Sequence, residues 1–468
     1  MLDIKKVKAC YVEYKNNREH FLEIDKAYNN GNKTRTLAAK RFKRCYRDME
    51  CNYVQKLDDE ESNYSFNNKV TFSALNKEHT EAVKFLNDYW KVLGNPESSN
   101  GKKLVQFHEL YEINYNDANG KLKQHIVTPL EGNVYINHLG EYEFFILVHN
   151  KISLDEHGIE KVVDYIDVYD EENIYYLDNN FNKLETKKHL MGTFPVGVAL
   201  VDEQKYTTIN GYKQGTKTNY DKIFKLQRAF EDNLQDISEE ITDFHNAIMV
   251  GKNIEEKPVL NENGEVMLDK NGEPILRPPI ISSDSLVLLN DMADSNSVSL
   301  EWLVKNINDS FIKNTRDDLK KLIYEMSSHI NSNEELVSNV SGVALRSRLQ
   351  NLEAKCKANE QAMECIVRKR IECLFNNLSI KKVADYDVNK IQITFTPCIP
   401  QDIVALGDFI SKVSQDVMSN ETKMTIIPYI NDVELEKERI KEEKKENINM
   451  MPVNLDMIGG ATDEEANE

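Results

Sequence analysis

The sequence has none of the long hydrophobic segments that membrane insertion or secretion requires. No apolar run approaches the ~20 residues of a membrane-spanning helix. The N-terminus, Met-Leu-Asp-Ile-Lys-Lys-Val-Lys, lacks the apolar core of a secretory signal. We therefore expect a soluble protein that stays inside the cell that makes it and has no membrane partner.

Cysteine is scarce and shows no pairing pattern. The chain has seven cysteines, and none of them forms a Cys-x-x-Cys pair. An odd number without metal spacing favours free thiols in a reducing compartment. Cys356, Cys365 and Cys373 fall on one predicted helix, where we expect small buried hydrophobic residues rather than zinc ligands.

Motifs for catalysis are also missing. The segment Gly211-Tyr-Lys-Gln-Gly-Thr-Lys-Thr218 resembles a phosphate-binding loop, but only three residues separate its glycines and Thr216 divides Gly215 from Lys217. No calcium loop, His-Glu-x-x-His pattern or Gly-x-Ser-x-Gly pattern occurs. The acidic stretch from Tyr165 to Glu172 is interpreted as a strand that runs into a turn. We therefore predict no enzyme, no catalytic residue, no metal site and no cofactor.

Charge is abundant but strongly unbalanced. With 59 basic and 78 acidic residues, the net charge is −19. Tight binding to duplex DNA requires many neutralised phosphates, so we expect any contact with DNA to be loose. The first 50 residues are basic, and we interpret Lys40–Arg47 as a solvated helix face. The alternative is a patch for a neighbouring subunit or for nucleic acid.

The stretch from Leu300 to Asn377 is the strongest structural signal. Helical periodicity predicts two long helices separated by a polar loop at 331–342, which is too rich in Asn and Ser to continue either one. The apolar residues of the first helix are Leu303, Ile307, Phe311, Leu319, Leu322, Met326 and Ile330. Those of the second are Leu345, Leu349, Leu352, Cys356, Met363, Ile366 and Leu374. Lengths of roughly 45 and 50 Å favour a spanning scaffold over an enzyme core.

The remaining chain divides by periodicity. A short strand at 69–73 and a helix at 78–93 precede an antiparallel β region from Leu104 to Val201, in which Asn119-Gly120 marks a hairpin. A helix runs from Thr218 to near Gly251, and a strand at 390–396 comes later. Helices are predicted at 401–418, 421–427 and 434–446, and the tail beyond Met451 is predicted to be disordered.

Residues 252–297 contain a near-repeat with a period of eight. Leu260-Asn-Glu-Asn-Gly-Glu-Val-Met-Leu268 is followed by Leu268-Asp-Lys-Asn-Gly-Glu-Pro-Ile-Leu276. Both copies carry Asn-Gly, so we predict a small β-ribbon with tight turns.

Several segments, in order along the chain, resemble the portal proteins of long-tailed double-stranded DNA bacteriophages. They are Tyr220–Val250, Glu301-Trp-Leu303, the polar loop, Asn339-Val-Ser-Gly-Val-Ala-Leu-Arg346, Arg368-Lys-Arg-Ile-Glu372, Ile393–Asp402 and Ile427–Asp432. The resemblance is good over Thr218–Asp432, fair over the β region and weak over residues 1–50. The evidence for the resemblance is the set of segments in this order, because no single motif is specific to the family.

The resemblance implies an α+β portal fold that assembles into a ring. Its expected parts are a β-rich wing (1–233, including 104–201), a stem helix (234–250), a clip (251–297), a second stem helix (298–330), a tunnel loop (331–342), the C-terminal part of the wing (343–400) and a helical crown with an acidic tail (401–468).

The same resemblance implies three groups of site residues. The tunnel loop that lines the DNA channel would comprise Asn331, Ser332, Asn333, Glu334, Glu335, Val337, Ser338, Asn339 and Val340. Channel-facing candidates on the stem are Lys305, Lys313, Arg316, Lys320 and Lys321. Clip contacts to the motor or adaptors would be Asn263, Gly264, Asn271, Gly272 and Pro274. For any single stem cation, a solvated or intersubunit salt-bridged face is the simpler interpretation.

The function implied is a channel at one capsid vertex through which DNA is packaged and later ejected. Expected partners are further copies in a ring of about twelve, double-stranded DNA, the terminase large subunit, head–tail adaptor proteins, and capsid and scaffolding proteins. The expected location is the virion, with the host cytoplasm during assembly. Two alternatives remain: a helical scaffold without a pore, and a nucleic-acid-processing enzyme.

Overall fold

The computed structural model describes residues 2–30, 51–154, 160–209, 212–245, 248–252, 257–261, 263–277, 286–289, 299–303, 309–331, 342–398, 403–414, 416–427 and 433–450. The chain forms two compact units, Met1–Cys398 and Ile399–Glu468. The first unit combines helices with several antiparallel sheets, and the described part of the second is helical. This is the expected α+β composition. No helix in the described ranges is both long and apolar enough to cross a lipid bilayer.

The first unit has seven described helices, whose ends carry local signals. They are α1 (Ile4–Asn30), α2 (Tyr53–Phe66), α3 (Thr80–Leu93), α4 (Pro96–Phe107), α5 (Asn219–His245), α6 (Asp309–Ser327) and α7 (Gly342–Ile380). Asn52 caps α2 by accepting a hydrogen bond from the Gln55 backbone (3.0 Å). Gly94, at φ +84°, ends α3, and Pro96 then begins α4. In the second unit lie α8 (Ile403–Lys412), α9 (Asn420–Ile426) and α10 (Val433–Met450).

Two sheets form the β-rich part of the first unit. A five-stranded antiparallel meander contains β4 (Gly132–Ile136), β5 (Tyr142–Leu154), β6 (Glu160–Tyr169), β7 (Asn173–Leu177) and β8 (Lys183–Lys188). A three-stranded sheet orders β3 (Leu122–Val127), β2 (Glu109–Asn116) and β9 (Val196–Leu200). The predicted Asn119-Gly120 turn joins β2 to β3, with Gly120 at φ +72°. These strands confirm the predicted antiparallel β region, although β2 and β9 are buried on both faces rather than alternating.

Four smaller sheets involve short strands. β1 (Thr71–Ala74) pairs with β17 (Ile391–Thr394), and β10 (Thr207–Ile209) pairs with β11 (Tyr212–Gln214). β12 (Ile248–Lys252) lies between β15 (Leu286–Leu289) and β16 (Ser299–Leu303). β13 (Lys257–Pro258) pairs with β14 (Leu276–Arg277). The β1–β17 pair joins segments more than 300 residues apart, so the early and late parts of the chain share one core.

That core is built around α7. Met363, Ile366 and Ile371 are fully buried and pack in one cluster with Phe66 and Trp90. Strand β9 approaches this helix closely, because a Cβ added at Gly197 would lie 3.2 Å from the Ile366 Cα. A side chain at this position would crowd the backbone of α7, so the absence of a Cβ favours the close approach. The helix therefore acts as the central support of the unit.

Three predicted boundaries are wrong. The first of the two long helices begins at Asp309, not near residue 300, and residues 299–303 form β16. The helix expected at 234–250 ends at His245, and 248–252 form β12. These two strands pair with each other, with Met249 opposite Trp302. Apolar runs of about five residues fit a helix or a strand equally well, and long-range pairing decided between them.

The third wrong boundary is the start of the β region. Leu104 lies in α4, and the strands begin at Glu109 after His108, which takes a left-handed conformation at the helix end. The lengths of the long helices change as well. At 19 and 39 residues, α6 and α7 extend about 28 and 58 Å.

Candidate functional site

The cationic candidates on α6 do not form one stripe. Lys313 and Lys321 are exposed, whereas Arg316 and Lys320 are half-buried. At about 100° per residue, Lys313, Arg316 and Lys320 lie within about 60° of one another, and Lys321 is rotated by a further ~80°. Arg316 Nε is 3.7 Å from Asp317 Oδ1. The fifth candidate, Lys305, lies outside the described residues.

The face that carries Arg316 and Lys320 is the packed face of α6. Ile323 and Tyr324 on the same side are buried and share a cluster with Leu57 of α2. Tyr324 also accepts a hydrogen bond from Lys56 Nζ (2.6 Å). The half-buried cations therefore border the contact between α6 and the helices beneath it.

The opposite face of α6 is apolar and exposed. Phe311, Leu322 and Met326 have relative exposures of 67%, 41% and 51%. Their spacing places them within about 60° of one another on the helix. Some of the apolar residues whose spacing predicted a packed helix face therefore lie on the side of α6 that faces away from the core of the single chain. Large apolar side chains in such a row are typical of a surface that another molecule covers.

The predicted tunnel loop connects α6 to α7. Ser332, Asn333, Glu334, Glu335, Val337, Ser338, Asn339 and Val340 lie outside the described residues. Asn331 is described and is half-buried. Just before it, Ser328 takes φ +63° and turns the chain at the end of α6. His329 follows and is buried, with Nδ1 2.9 Å from the Ser327 carbonyl oxygen and Nε2 3.1 Å from that of Leu57. The chain just before the loop is therefore held in place by the contacts of His329.

The predicted clip ribbon is present over 257–277. Its two hairpin turns repeat the same chemistry. Asn261 Oδ1 accepts hydrogen bonds from the backbone of residues 263 and 265 (3.0 and 2.9 Å). Asp269 Oδ1 accepts them from residues 271 and 273 (2.7 and 3.0 Å). These bonds from backbone N–H groups hold the pKa of Asp269 below its ordinary value. Gly264 and Gly272 supply the positive φ angles, +83° and +84°.

A closed ring of backbone hydrogen bonds joins the two repeats. The Val259 N–H donates to the Ile275 carbonyl, Ile275 donates to Met267, and Met267 donates to Val259, each at 2.8 Å. These residues are eight positions apart, which is the period of the repeat. All the clip candidates are exposed, namely Asn263, Gly264, Asn271, Gly272 and Pro274. The fold of the ribbon is as predicted, and its contacts with other proteins stay a prediction.

The phosphate-loop resemblance has a structural explanation. Tyr212–Gln214 form β11 of a hairpin, and Gly215 ends it at φ +128°. A Cβ at Gly215 would lie 2.9 Å from the Tyr206 Cα, so this glycine serves a close backbone approach. The segment Tyr165–Glu172 is a strand and turn as predicted, with Asp170 Oδ1 accepting from the backbone of residues 172 and 173.

The expected cysteine burial is confirmed at two of three positions. Cys356 and Cys373 are buried on α7, whereas Cys365 is exposed. Burial raises the pKa of both buried thiols to about 12, so they are inert hydrophobic groups at neutral pH. Within the described ranges, no three His, Cys, Asp or Glu residues are grouped so that they could hold a metal ion.

The comparisons with known proteins include a family model that covers nearly the whole chain. A family model described as "Phage portal protein, SPP1 Gp6-like" matches residues 7–450. No curated protein matches. Among solved structures, a chain from "Neck of empty GTA particle computed with C6 symmetry" aligns with a TM-score of 0.40 and 8% sequence identity. The alignment covers 85% of this chain and 90% of that one.

Proposed function

The chain belongs to the SPP1 Gp6-like family of phage portal proteins, and from that premise we propose how its parts carry out the portal role. The family match over residues 7–450 is the single observation that carries the function. Portal proteins of this family form oligomeric rings at the capsid vertex of the virion, connect head to tail and have capsid-related partners. The family is structural rather than catalytic.

We propose that about twelve copies surround a channel through which double-stranded DNA enters during packaging and leaves at ejection. In this proposal the terminase large subunit drives the DNA, and the portal chain itself has no enzymatic activity. The acidic composition supports this role, because a net charge of −19 disfavours tight binding to phosphates. A channel must let DNA slide, so contacts to specific bases would be harmful.

We assign the segment 331–342 to the channel as its tunnel loop. It joins the end of α6 to the start of α7, and its Asn and Ser residues suit a polar lining that touches DNA without holding it. Lys313, Arg316, Lys320 and Lys321 would make brief contacts with the phosphates. The half-burial of Arg316 and Lys320 makes Lys313 and Lys321 the better candidates among the described cations.

We assign the ribbon at 257–277 to the clip, where the ring would meet the terminase and later the head–tail adaptors. Its turns are exposed, and its shape is maintained by backbone hydrogen bonds rather than by a buried core. Rigid, exposed turns suit a docking surface that successive partners use. Capsid and scaffolding proteins would contact other parts of the ring, which would assemble in the host cytoplasm.

Negative-stain imaging of the purified protein tests the proposal. We expect end-on rings with a central hole wide enough for a DNA duplex. Compact monomers or solid rods would contradict the assignment and favour the scaffold without a pore. A nucleotide-hydrolysis assay on the same sample addresses the enzyme alternative, and we expect no turnover without added terminase.

A further inference from the structure

We propose that Glu61 is a positioning residue that fastens both flanks of the tunnel loop to the body of the subunit. It does so through a buried polar cluster, here called the Glu61 network, which contains Asp58, Glu61, Asn219, His329, Lys355 and Asn359. The inference rests on the proposed function only in naming 331–342 as the tunnel loop.

The Glu61 carboxylate is the centre of the network. It lies on α2 and is fully buried. Lys355 Nζ donates to its Oε2 (2.5 Å), and Asn359 Nδ2 donates to its Oε1 (2.5 Å). Lys355 and Asn359 are one turn apart on α7, so both carboxylate oxygens bind the same face of the helix that follows the loop.

The flank that precedes the loop reaches the same carboxylate. His329 stands two residues after the end of α6, and its Nε2 is 3.9 Å from Glu61 Oε2. The same nitrogen is 3.1 Å from the carbonyl oxygen of Leu57, one turn earlier on α2. The loop is therefore bounded by two segments that both contact α2.

Asn219 connects the network to α5. Its amide Nδ2 donates to Asp58 Oδ1 (2.7 Å) and to Glu61 Oε2 (3.1 Å), and its Oδ1 accepts from Lys355 Nζ (2.6 Å). Asn219 is the first residue of α5 and is fully buried. One amide thus links three helices, and both polar atoms of the Asn219 side chain are hydrogen-bonded.

The charges in the network are balanced. Burial acts to raise the pKa of Glu61, but Lys355 and His329 outweigh it and lower the pKa to about 2. Burial raises the pKa of Asp58 well above its ordinary value, which favours its neutral form. The ion pair of the network joins the Glu61 carboxylate to the Lys355 ammonium group. Removing either charge leaves the other buried without compensation, which is strongly unfavourable.

An apolar core would be sufficient if these helices needed only to be packed together. A buried carboxylate with fixed donors adds a defined geometry, since hydrogen bonds require particular distances and angles. The flank after the loop is hydrogen-bonded to this side chain through Lys355 and Asn359. The flank before the loop lies beside it, with His329 Nε2 3.9 Å from Glu61 Oε2. A change in its charge is therefore expected to loosen the loop flanks before it loosens the sheets.

The test is hydrogen exchange on the purified full-length protein, with Glu61→Gln compared with Glu60→Gln. Glu60 is the adjacent residue on α2, and its partner is Lys56 on the same helix at 3.6 Å. We expect E61Q to speed amide exchange about ten-fold in 323–331 and 352–363, with no change in β5 and β6. E60Q is expected to match the parent protein. Unchanged exchange in E61Q, or an equal rise in all regions, would overturn the proposal.

A second variant covers the case in which E61Q does not fold. The double variant E61Q/K355M leaves no unpaired charge, so it is expected to fold and to retain the local increase in exchange. Normal protection of both loop flanks in this variant would overturn the proposal. DNA packaging is measured separately. A ring with loosened flanks that packages DNA normally supports the role of Glu61 as a fastener and contradicts the tunnel-loop assignment.

Discussion

Arg370 shows how far the role of one residue can depart from its sequence context. It lies in Arg368-Lys-Arg-Ile-Glu372, which resembles a basic helix end, yet its side chain is only 1% exposed. Its guanidinium donates to Glu112 through Nε (2.8 Å) and Nη2 (2.5 Å), and to Glu97 through Nη1 (2.7 Å). Its Cζ lies 5.4 Å from the centre of the Trp90 ring. The residue is an internal anchor that joins α7 to α4 and β2.

We predict that Arg370→Met destabilises the protein by about 3–5 kcal/mol, because two buried carboxylates lose their partner. Chemical denaturation followed by circular dichroism measures the effect. Arg368→Met is the matched control. Its partner Glu364 is on the same helix, and both side chains are 36% exposed, so we expect a loss below about 1 kcal/mol. Equal losses in the two variants would contradict the internal-anchor assignment.

Two buried histidines, His329 and His108, determine how the stability of the protein should depend on pH. Burial lowers the pKa of His329 to about 4 from 6.5, and Lys355 adds to this effect while Glu61 opposes it. The unfolded chain therefore binds more protons between pH 6.5 and 4, and acidification in this window favours unfolding. Burial also lowers the pKa of His108 to about 4, so its effect has the same sign. Asp58, with a raised pKa, acts in the opposite direction.

We expect the thermal midpoint to fall as the pH drops from 6.5 to 4, and His329→Gln to fall less steeply than the parent protein. The fall in the pKa of His329 from 6.5 to about 4 limits its contribution to roughly 3 kcal/mol of unfolding free energy. Thermal unfolding measured across this pH series is the test. His138→Gln, at an exposed position, is the control and should follow the parent curve. A His329→Gln curve parallel to the parent curve would count against the assignment.

At the scale of elements, the tunnel loop gives a direct prediction. Its flanks are anchored at His329 and on α7, and the helices before and after it pack elsewhere. We therefore expect deletion of Ser332–Ser338 to leave ring assembly intact and to impair DNA packaging or retention. Electron microscopy and a packaging assay measure the two outcomes. Insoluble or unfolded protein would mean that the segment belongs to the core.

The clip ribbon depends on its turn residues. Asp269 Oδ1 accepts two backbone hydrogen bonds in the second turn. No residue whose burial is described in this ribbon is buried, so packing there would not compensate for their loss. We predict that Asp269→Ala increases amide exchange in 267–275 several-fold while global stability changes by less than about 1 kcal/mol. Lys270→Ala, at the adjacent exposed position, is the control. Unchanged exchange in Asp269→Ala would show that the backbone ring alone holds the turn.

At the scale of the whole molecule, the exposed apolar face of α6 is relevant to the ring. Phe311 is 67% exposed in the single chain, and burial of such a side chain is worth roughly 1.5–3 kcal/mol. We expect a neighbouring copy to cover it, so that Phe311→Glu lowers the fraction of complete rings at a given protein concentration. Lys313→Glu introduces the same carboxylate on the opposite face of α6 and serves as the control. Mass photometry distinguishes rings from smaller species, and equal ring fractions would contradict this contact.

Local chemistry was sufficient for much of the fold. Asn-Gly turns, the period-eight repeat, the end of α3 at Gly94 and the alternation of β5 and β6 could all be predicted, because each depends on the φ, ψ and burial preferences of adjacent residues. The order of helix, polar loop and helix at 309–380 was also visible from periodicity. Family membership followed from the same ordered segments.

Only the tertiary structure decided which short apolar segments became strands and which charged residues became buried. Residues 248–252 and 299–303 could have continued their neighbouring helices, but pairing with each other satisfied their backbone hydrogen bonds as β12 and β16. Arg370 and Glu112 are 258 positions apart, and Glu61 and Lys355 are 294 apart. A charge can be buried only where the fold brings an opposite charge to it, and nothing in the neighbouring sequence specifies that meeting.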